Sequence, residues 1–213
     1  MRFSRITTWM AAAVFCGAVM VDAAETLRFE GRPGSKVKID GTSTVHDWTV
    51  ESQLLSGFME FDAGFAKDPA AAAKSAKAEV TIMVRSLKSG KSGMDKVMQE
   101  AMKMPQHPKI EYKLLQLTPK SGGAEGTSAQ FDATGALTVA GVTRTNTMPV
   151  TIEKVGETKA KVSGATNLKM TDFGIKPPSP AFLPIKTGDD VKIAFQWQTE
   201  QVAAAAAKTA ETK

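Results

Sequence analysis

Cysteine is nearly missing from this 213-residue chain: the single one, Cys16, falls in an apolar run near the start. A mature chain beginning after that run has no thiol, so neither a disulfide framework nor thiolate chemistry is open to it. Histidine is almost as scarce, with only His46 and His107. A zinc site takes three or four clustered ligands, and two distant imidazoles without thiolates do not supply them. No serine stands in a Gly-x-Ser-x-Gly elbow, which removes the common esterase signal. Aromatic residues make up 7% of the chain, too few for a base-stacking platform. The net charge of +5 is also not gathered. It comes as single lysines between apolar residues, as in Lys36-Val37-Lys38-Ile39, the pattern of a solvated strand face. A nucleic-acid partner would need that charge on one surface. What is left is a chain with no expected metal, cofactor or nucleic acid, and with no catalytic residues to assign.

The N-terminus carries information of its own. Arg2 and Arg5 precede an uncharged apolar run from Ile6 to Val21, followed by Val21-Asp22-Ala23. This is the arrangement of a secretory signal, and the run is short for a bilayer span of about 20 residues. A lipoprotein site at Cys16 needs a small residue before it, and Phe15 is bulky. Residues 1–23 are therefore expected to be a signal peptide, residues 24–200 one domain, and 201–213 a disordered alanine-rich tail. The expected location is periplasmic or secreted, without stable membrane insertion once the signal is removed.

Beyond the signal, period-two alternation dominates. Val80, Ile82 and Val84 alternate with Glu79, Thr81 and Met83, while Ile110, Tyr112 and Leu114 alternate with Glu111 and Lys113. Met148, Val150 and Ile152 alternate with threonines, and Val191, Ile193, Phe195 and Trp197 with mostly polar residues. Successive strand side chains point to opposite faces, so each run has an apolar and a polar face. Turn residues separate the runs at Lys120–Gly126, at Val155-Gly156-Glu157 and at Lys186–Asp190. Many short strands of this kind predict a barrel or sandwich. Met94, Val97, Met98, Ala101 and Met102 instead follow helical spacing, which predicts one short helix over 94–104 stopped by Pro105. An alanine-rich link, Ala70 to Ala78, joins two strands.

Four local patterns carry possible chemistry. Ser89-Gly90-Lys91-Ser92 lacks a phosphate loop's leading glycine, since Arg85 stands there. Met94, Met98, Met102 and Met104 could offer thioethers to copper, but the spacing is what an apolar helix face produces. His107, bracketed by Pro105 and Pro108, is expected at the surface. Gly41-Thr42-Ser43-Thr44-Val45-His46-Asp47-Trp48 is the most distinctive. His46 and Trp48 can share a strand face and orient a ligand head group; alternatively Asp47 caps a turn and Trp48 plugs a barrel end.

Several of these blocks together resemble the YceI-like family. Gly41–Trp48 is similar to its histidine-containing opening, and Val84-Arg85-Ser86-Leu87 with His107–Tyr112 to its central block. Gly135-Ala136-Leu137-Thr138-Val139-Ala140-Gly141-Val142-Thr143 is similar to its Gly-x-Leu-Thr-x-x-Gly-Val-Thr motif. Thr171–Ile175 and Gly188–Ile193 resemble two late blocks, so the likeness spans about residues 26–199. It departs at Leu87-Lys88-Ser89, at Met94–Val97 and at Lys169-Met170-Thr171. The resemblance implies an antiparallel, lipocalin-like barrel around an elongated cavity, a polyisoprenoid-type ligand and no established catalysis.

The expected fold is therefore all-β, an antiparallel lipocalin-like barrel of about eight strands with one short helix. Val80, Ile82, Val84, Ile110, Tyr112, Leu114, Met148, Val150, Ile152, Ile193 and Phe195 are expected to line its interior, with His46 and Trp48 at the mouth. The expected partner is a long-chain isoprenoid or similar lipid; a monomer and a homodimer are both compatible with the sequence. An enzyme acting on a bound lipid would need clustered titrating groups that the chain does not show. A non-enzymatic interaction or stress-response module, its barrel filled by its own methionines and phenylalanines, is the alternative.

Overall fold

The computed structural model describes residues 25–202 except 67, 69–72, 126 and 180–183, and no side chains for 65, 66 and 121–125. The expected signal peptide, the C-terminal tail and part of the alanine-rich link lie outside the described residues. Among the described residues ten strands form one antiparallel sheet: β1 (Thr26–Gly31), β2 (Lys36–Ser43), β3 (Trp48–Ser52), β4 (Leu55–Asp62), β5 (Lys77–Met83), β6 (Lys109–Glu125), β7 (Ser128–Val139), β8 (Val142–Val155), β9 (Lys159–Lys169) and β10 (Thr187–Val202).

Pairing turns the ten segments into eight staves. β10 pairs with β2 along its first half and with β1 along its last residues, so β1 and β2 are one broken stave. β3 pairs with β2 and β4 with β1, which makes a second broken stave. The β1–β10 pairing closes the ring, giving an eight-stave antiparallel barrel of lipocalin-like form. Closure leaves no long sheet edge for another chain to pair with.

Alternation decides what faces inward. Val37, Val50, Met59, Phe131, Val150, Val162 and Trp197 are buried on the inner face, while Lys36, Glu51, Lys161 and Lys192 lie on the outer one. Outer ion pairs run between neighbouring staves, as for Lys36–Glu51 at 2.9 Å and Lys113–Glu79 at 3.1 Å. At these exposures such pairs contribute little stability. A register shift between Leu114 and Gln116 inserts one residue into β6. The bulge turns Leu115 outward, 59% exposed, and returns the buried Leu117 to the interior.

The turns differ in part from the sequence expectation. β6 does not stop at Lys120: pairing resumes after a second irregularity and continues to Glu125 opposite Ser128. Likewise β10 begins at Thr187, and Gly188–Asp190 form an irregularity inside it rather than a preceding turn. In both places glycine marks a bulge within a strand as readily as a hairpin. The Val155–Lys159 connection is a turn as expected, with Gly156 at φ +72°.

One helix, α1 (Ser92–Ala101), lies among the described residues; it starts two residues before the expected range and gives way to turns ahead of Pro105. No helix among those residues is long and apolar enough to cross a membrane. Among its described residues the alanine-rich link contains a 3-10 turn, Ala73–Ser75, before β5 starts at Lys77. Chain direction puts the β2–β3 loop, α1, the Ala140-Gly141 turn and the segment before β10 at one end of the barrel.

Candidate ligand cavity

The inner face does not close on itself. A cavity of about 560 Å³ lies inside the barrel, walled by aliphatic and aromatic side chains from most staves. Pockets of roughly 300–1,000 Å³ with a few polar groups are typical of small-molecule sites. Its charged lining residues are Lys77, Lys91 and Lys169, and no carboxylate or thiol lines it among the described residues.

Of the thirteen residues assigned from sequence, twelve line this cavity. Val80 and Ile82 come from β5, Ile110, Tyr112 and Leu114 from β6, and Met148, Val150 and Ile152 from β8; Ile193 and Phe195 are on β10. These staves are adjacent around the barrel except that β7 and β9 intervene. Val84 does not line the cavity and is corrected. β5 ends at Met83, and Val84 begins a 3-10 turn whose N–H donates to the carbonyl of Pro108 at 2.9 Å. The turn takes Val84 off the strand face and buries it completely, beside the equally buried Leu87.

His46 and Trp48 both border the cavity, at the α1 end. The loop before Trp48 is tied by Ser43, not by Asp47. Ser43 Oγ donates to the His46 carbonyl at 2.7 Å and accepts from the amides of Val45 and His46. His46 is exposed, and its Nδ1 lies 2.9 Å from the Asp47 carbonyl, within hydrogen-bonding distance. Trp48 donates from Nε1 to the Thr42 carbonyl at 3.1 Å, its ring crossing Gly41.

Helix α1 covers part of that end. Met94, Val97, Met98, Ala101 and Met102 all border the cavity, the apolar face read from their spacing. Its approach is held by Asp95, whose Oδ1 accepts from the backbone N–H of Ser89 at 2.7 Å and from its hydroxyl at 2.6 Å. Those hydrogen bonds hold the Asp95 carboxyl below its ordinary range. No cluster of three metal-ligating His, Cys, Asp or Glu side chains exists among the described residues.

His107 also differs from expectation. It is half-buried rather than a free surface group, because its ring lies on Gly141 at the β7–β8 turn. That turn has Ala140 at φ +50° and Gly141 at φ +83°, the paired positive angles of a tight type I′ hairpin.

Other lining residues had no assignment from sequence: Met59 and Phe61 on β4, Leu137 on β7, Asn146 on β8, Leu168 on β9, and Phe173 and Ile175 beyond it. β4 contains Gly57 and follows a break at Leu54, and β7 is interrupted by Gly135, so neither shows a long alternating run. Tyr112 is buried deeply enough that desolvation pushes its phenol up to about 12. Its hydroxyl and Nε1 of Trp197 are buried side-chain polar atoms without a hydrogen-bond partner.

Known proteins share this architecture. A UPF0312 protein of Pseudomonas putida (strain GB-1) is 29% identical over 176 residues, 78% of this chain and 87% of its own. BcnA of Burkholderia cenocepacia superposes with TM-score 0.62 at 23% identity, over 77% of this chain and 95% of BcnA. A polyisoprenoid binding domain from Saccharophagus degradans, implicated in plant cell wall breakdown, gives TM-score 0.62 at 14% identity, over 83% and 99% of the two chains. The model of the YceI-like domain matches residues 22–199, nearly the whole described barrel, and the chain belongs to that family.

Proposed function

We propose that this protein binds a long apolar lipid of the polyisoprenoid type inside its barrel and carries or holds it in the periplasm. The observation that carries this reading is the continuous apolar cavity. Each buried methylene contributes about 0.8 kcal/mol, so a chain of many carbons binds without any charged anchor. The fold shared with the Saccharophagus polyisoprenoid binding domain supports the same ligand class. The Arg2/Arg5 start, the apolar run and the Val21–Ala23 site support export.

A cavity of this size argues against the alternative of a barrel filled by its own side chains: Met94 and Met98 border the space instead of occupying it. A binding role is also favoured over catalysis, because the lining offers no carboxylate pair or thiolate to move protons or attack a bond. The test is to express the chain with its own N-terminus, fractionate the cells, and extract the purified protein for lipid mass spectrometry. A periplasmic protein that starts at Ala24 and holds a stoichiometric isoprenoid is expected. A cytoplasmic protein that retains Met1 would contradict export. A protein with no extractable lipid, and none taken up from added isoprenoids, would contradict the binding role.

A further inference from the structure

Among the described residues, five large aliphatic side chains are exposed: Val45, Leu54, Val97, Leu115 and Val155. Of these only Val45 and Val97 also border the cavity, and both belong to the α1 end of the barrel. A lone exposed aliphatic means little, but two at the opening of an apolar space make its rim apolar. The exposure is built in. Val45, 63% exposed, stands on the β2–β3 loop that Ser43 clips. Its neighbour Thr44 is tied to the segment before β10: its N–H donates to the Lys186 carbonyl at 3.0 Å, and its hydroxyl accepts from the Lys186 N–H at 3.1 Å. The loop is thus fixed from both sides with its apolar residue outward. Val97, 41% exposed, is presented by α1, whose approach Asp95 holds.

The rim is also flanked by free cations. Lys91, Lys176 and Lys186 are exposed and form no ion pair among the described residues. Lys91 borders the cavity, Lys186 adjoins the Thr44 tie, and Lys176 follows Ile175, which lines the same space. On the barrel's sides, by contrast, Lys36, Lys38, Lys113 and Lys161 are each paired with a carboxylate. In the helix and loops of the α1 end the carboxylates are mostly engaged. Ser89 holds Asp95, Thr171 holds Asp189, Lys169 lies by Asp190 and Lys96 by Glu100, which leaves Asp47 and Asp172.

We propose that the α1 end is a docking face for the surface of an anionic phospholipid bilayer, on which the barrel sits mouth-down to take up and release its ligand. Val45 and Val97 enter the head-group boundary while the three lysines lie among the phosphates, an apolar wedge with basic neighbours. This rests on the lipid-binding reading. A long hydrocarbon crossing water exposes its whole apolar surface, and a mouth seated on the bilayer removes that step. Contact of this kind is reversible and needs no spanning segment.

The test takes lipid-free protein purified after export and vesicles of phosphatidylcholine, alone or mixed with phosphatidylglycerol, and reads binding by co-sedimentation. Wild type should prefer the mixed vesicles, and about 0.5 M salt should remove the preference. Val45→Asp and Val97→Asp should each lower affinity for them about tenfold. Val155→Asp, equally exposed at 42% but at the opposite end of the barrel, should not. The double variant Lys176→Glu, Lys186→Glu touches no cavity-lining residue. It should lose about tenfold in vesicle affinity and take up geranylgeraniol from vesicles more slowly, yet bind geranylgeraniol delivered from cyclodextrin as wild type does. Thermal unfolding checks that each variant is folded. No binding of wild type to the mixed vesicles would overturn the docking face and leave the lipid-binding reading intact. So would equal losses in Val45→Asp and Val155→Asp, or wild-type vesicle affinity in the double variant. Vesicle binding by a wild type that takes no geranylgeraniol from cyclodextrin would instead overturn the lipid-binding reading, and the exchange role with it.

Discussion

The indole of Trp48 lies on Gly41, its cross-strand partner, so closely that a Cβ there would fall 2.1 Å from the ring. Glycine at 41 is what allows the tryptophan to fold over β2 and donate to the Thr42 carbonyl. Gly41→Ala should therefore expel the indole, with a cost of about 1–3 kcal/mol, the usual range for overpacking. Chemical denaturation gives the cost, and the emission of Trp48, compared in a Trp48→Phe background, reports the displacement. Unchanged emission and stability would mean that the ring has another seat.

A second glycine separates two effects that usually come mixed. At Gly141 a side chain would meet the His107 ring at 2.5 Å and would also have to adopt φ +83°. Gly141→Ala should cost about 1–2 kcal/mol for the left-handed backbone, plus whatever displacing the imidazole costs. His107→Ala should recover the second part and not the first, so a double-mutant cycle by urea unfolding should show positive coupling. Additive losses would contradict the ring-on-glycine contact.

Acid should weaken the approach to α1. Asp95 is held below its ordinary 3.8 first by the Ser89 hydroxyl and then by the Ser89 amide. A depressed carboxyl contributes stability that is present above its unfolded value and lost as pH falls through the folded one. Wild type should lose this increment as pH falls below about 4, whereas Asp95→Asn has none to lose. The comparison is the difference in unfolding free energy between the two from pH 6 to pH 2, which should shrink on acidification. A constant difference would show that the carboxylate holds nothing. Comparing the pair cancels Asp40 and Asp189, which are depressed for similar reasons by Thr49 and Thr171.

On β5, β6, β8 and β10 alternation runs unbroken for several residues, and the inward set was legible from that period alone. It misplaced Val84, because apolar spacing continues in the sequence after the backbone has left the strand at Met83. The bulge at Leu115 and the close approaches at Gly41, Gly135 and Gly141 are tertiary facts. Each depends on a partner stave that a single segment does not reveal. Asn146 was missed for the same reason, since a lone asparagine in a strand usually faces water. The helix was legible from its methionines, but not that those methionines border a cavity.

Placement of a charge on the inner wall is a direct probe of that cavity. Ile82 lies between Leu55 and Ile110 on the neighbouring staves and lines the space. Ile82→Lys would put an unpaired ammonium there, at several kcal/mol before relaxation, and should abolish lipid uptake. Ile82→Ala should lower affinity only modestly, the remaining wall still touching the chain. Lys192→Glu, on the exposed outer face beside Ile193, should leave uptake unchanged. Melting curves for all three keep unfolding apart from loss of binding. Full occupancy in a folded Ile82→Lys protein would place the ligand elsewhere.

The barrel's purpose is tested most directly by chain length. All-trans prenyl alcohols from C10 to C40, titrated into the lipid-free wild type, share one head group and differ only in apolar surface. Burial at about 0.8 kcal/mol per methylene requires affinity to climb steeply with length until the chain reaches the end of the cavity, then level off. An affinity that rises through the short alcohols and reaches a plateau at one ligand per barrel is the expected outcome; affinity independent of length, or no saturable binding at any length, would contradict a lipid held in the interior.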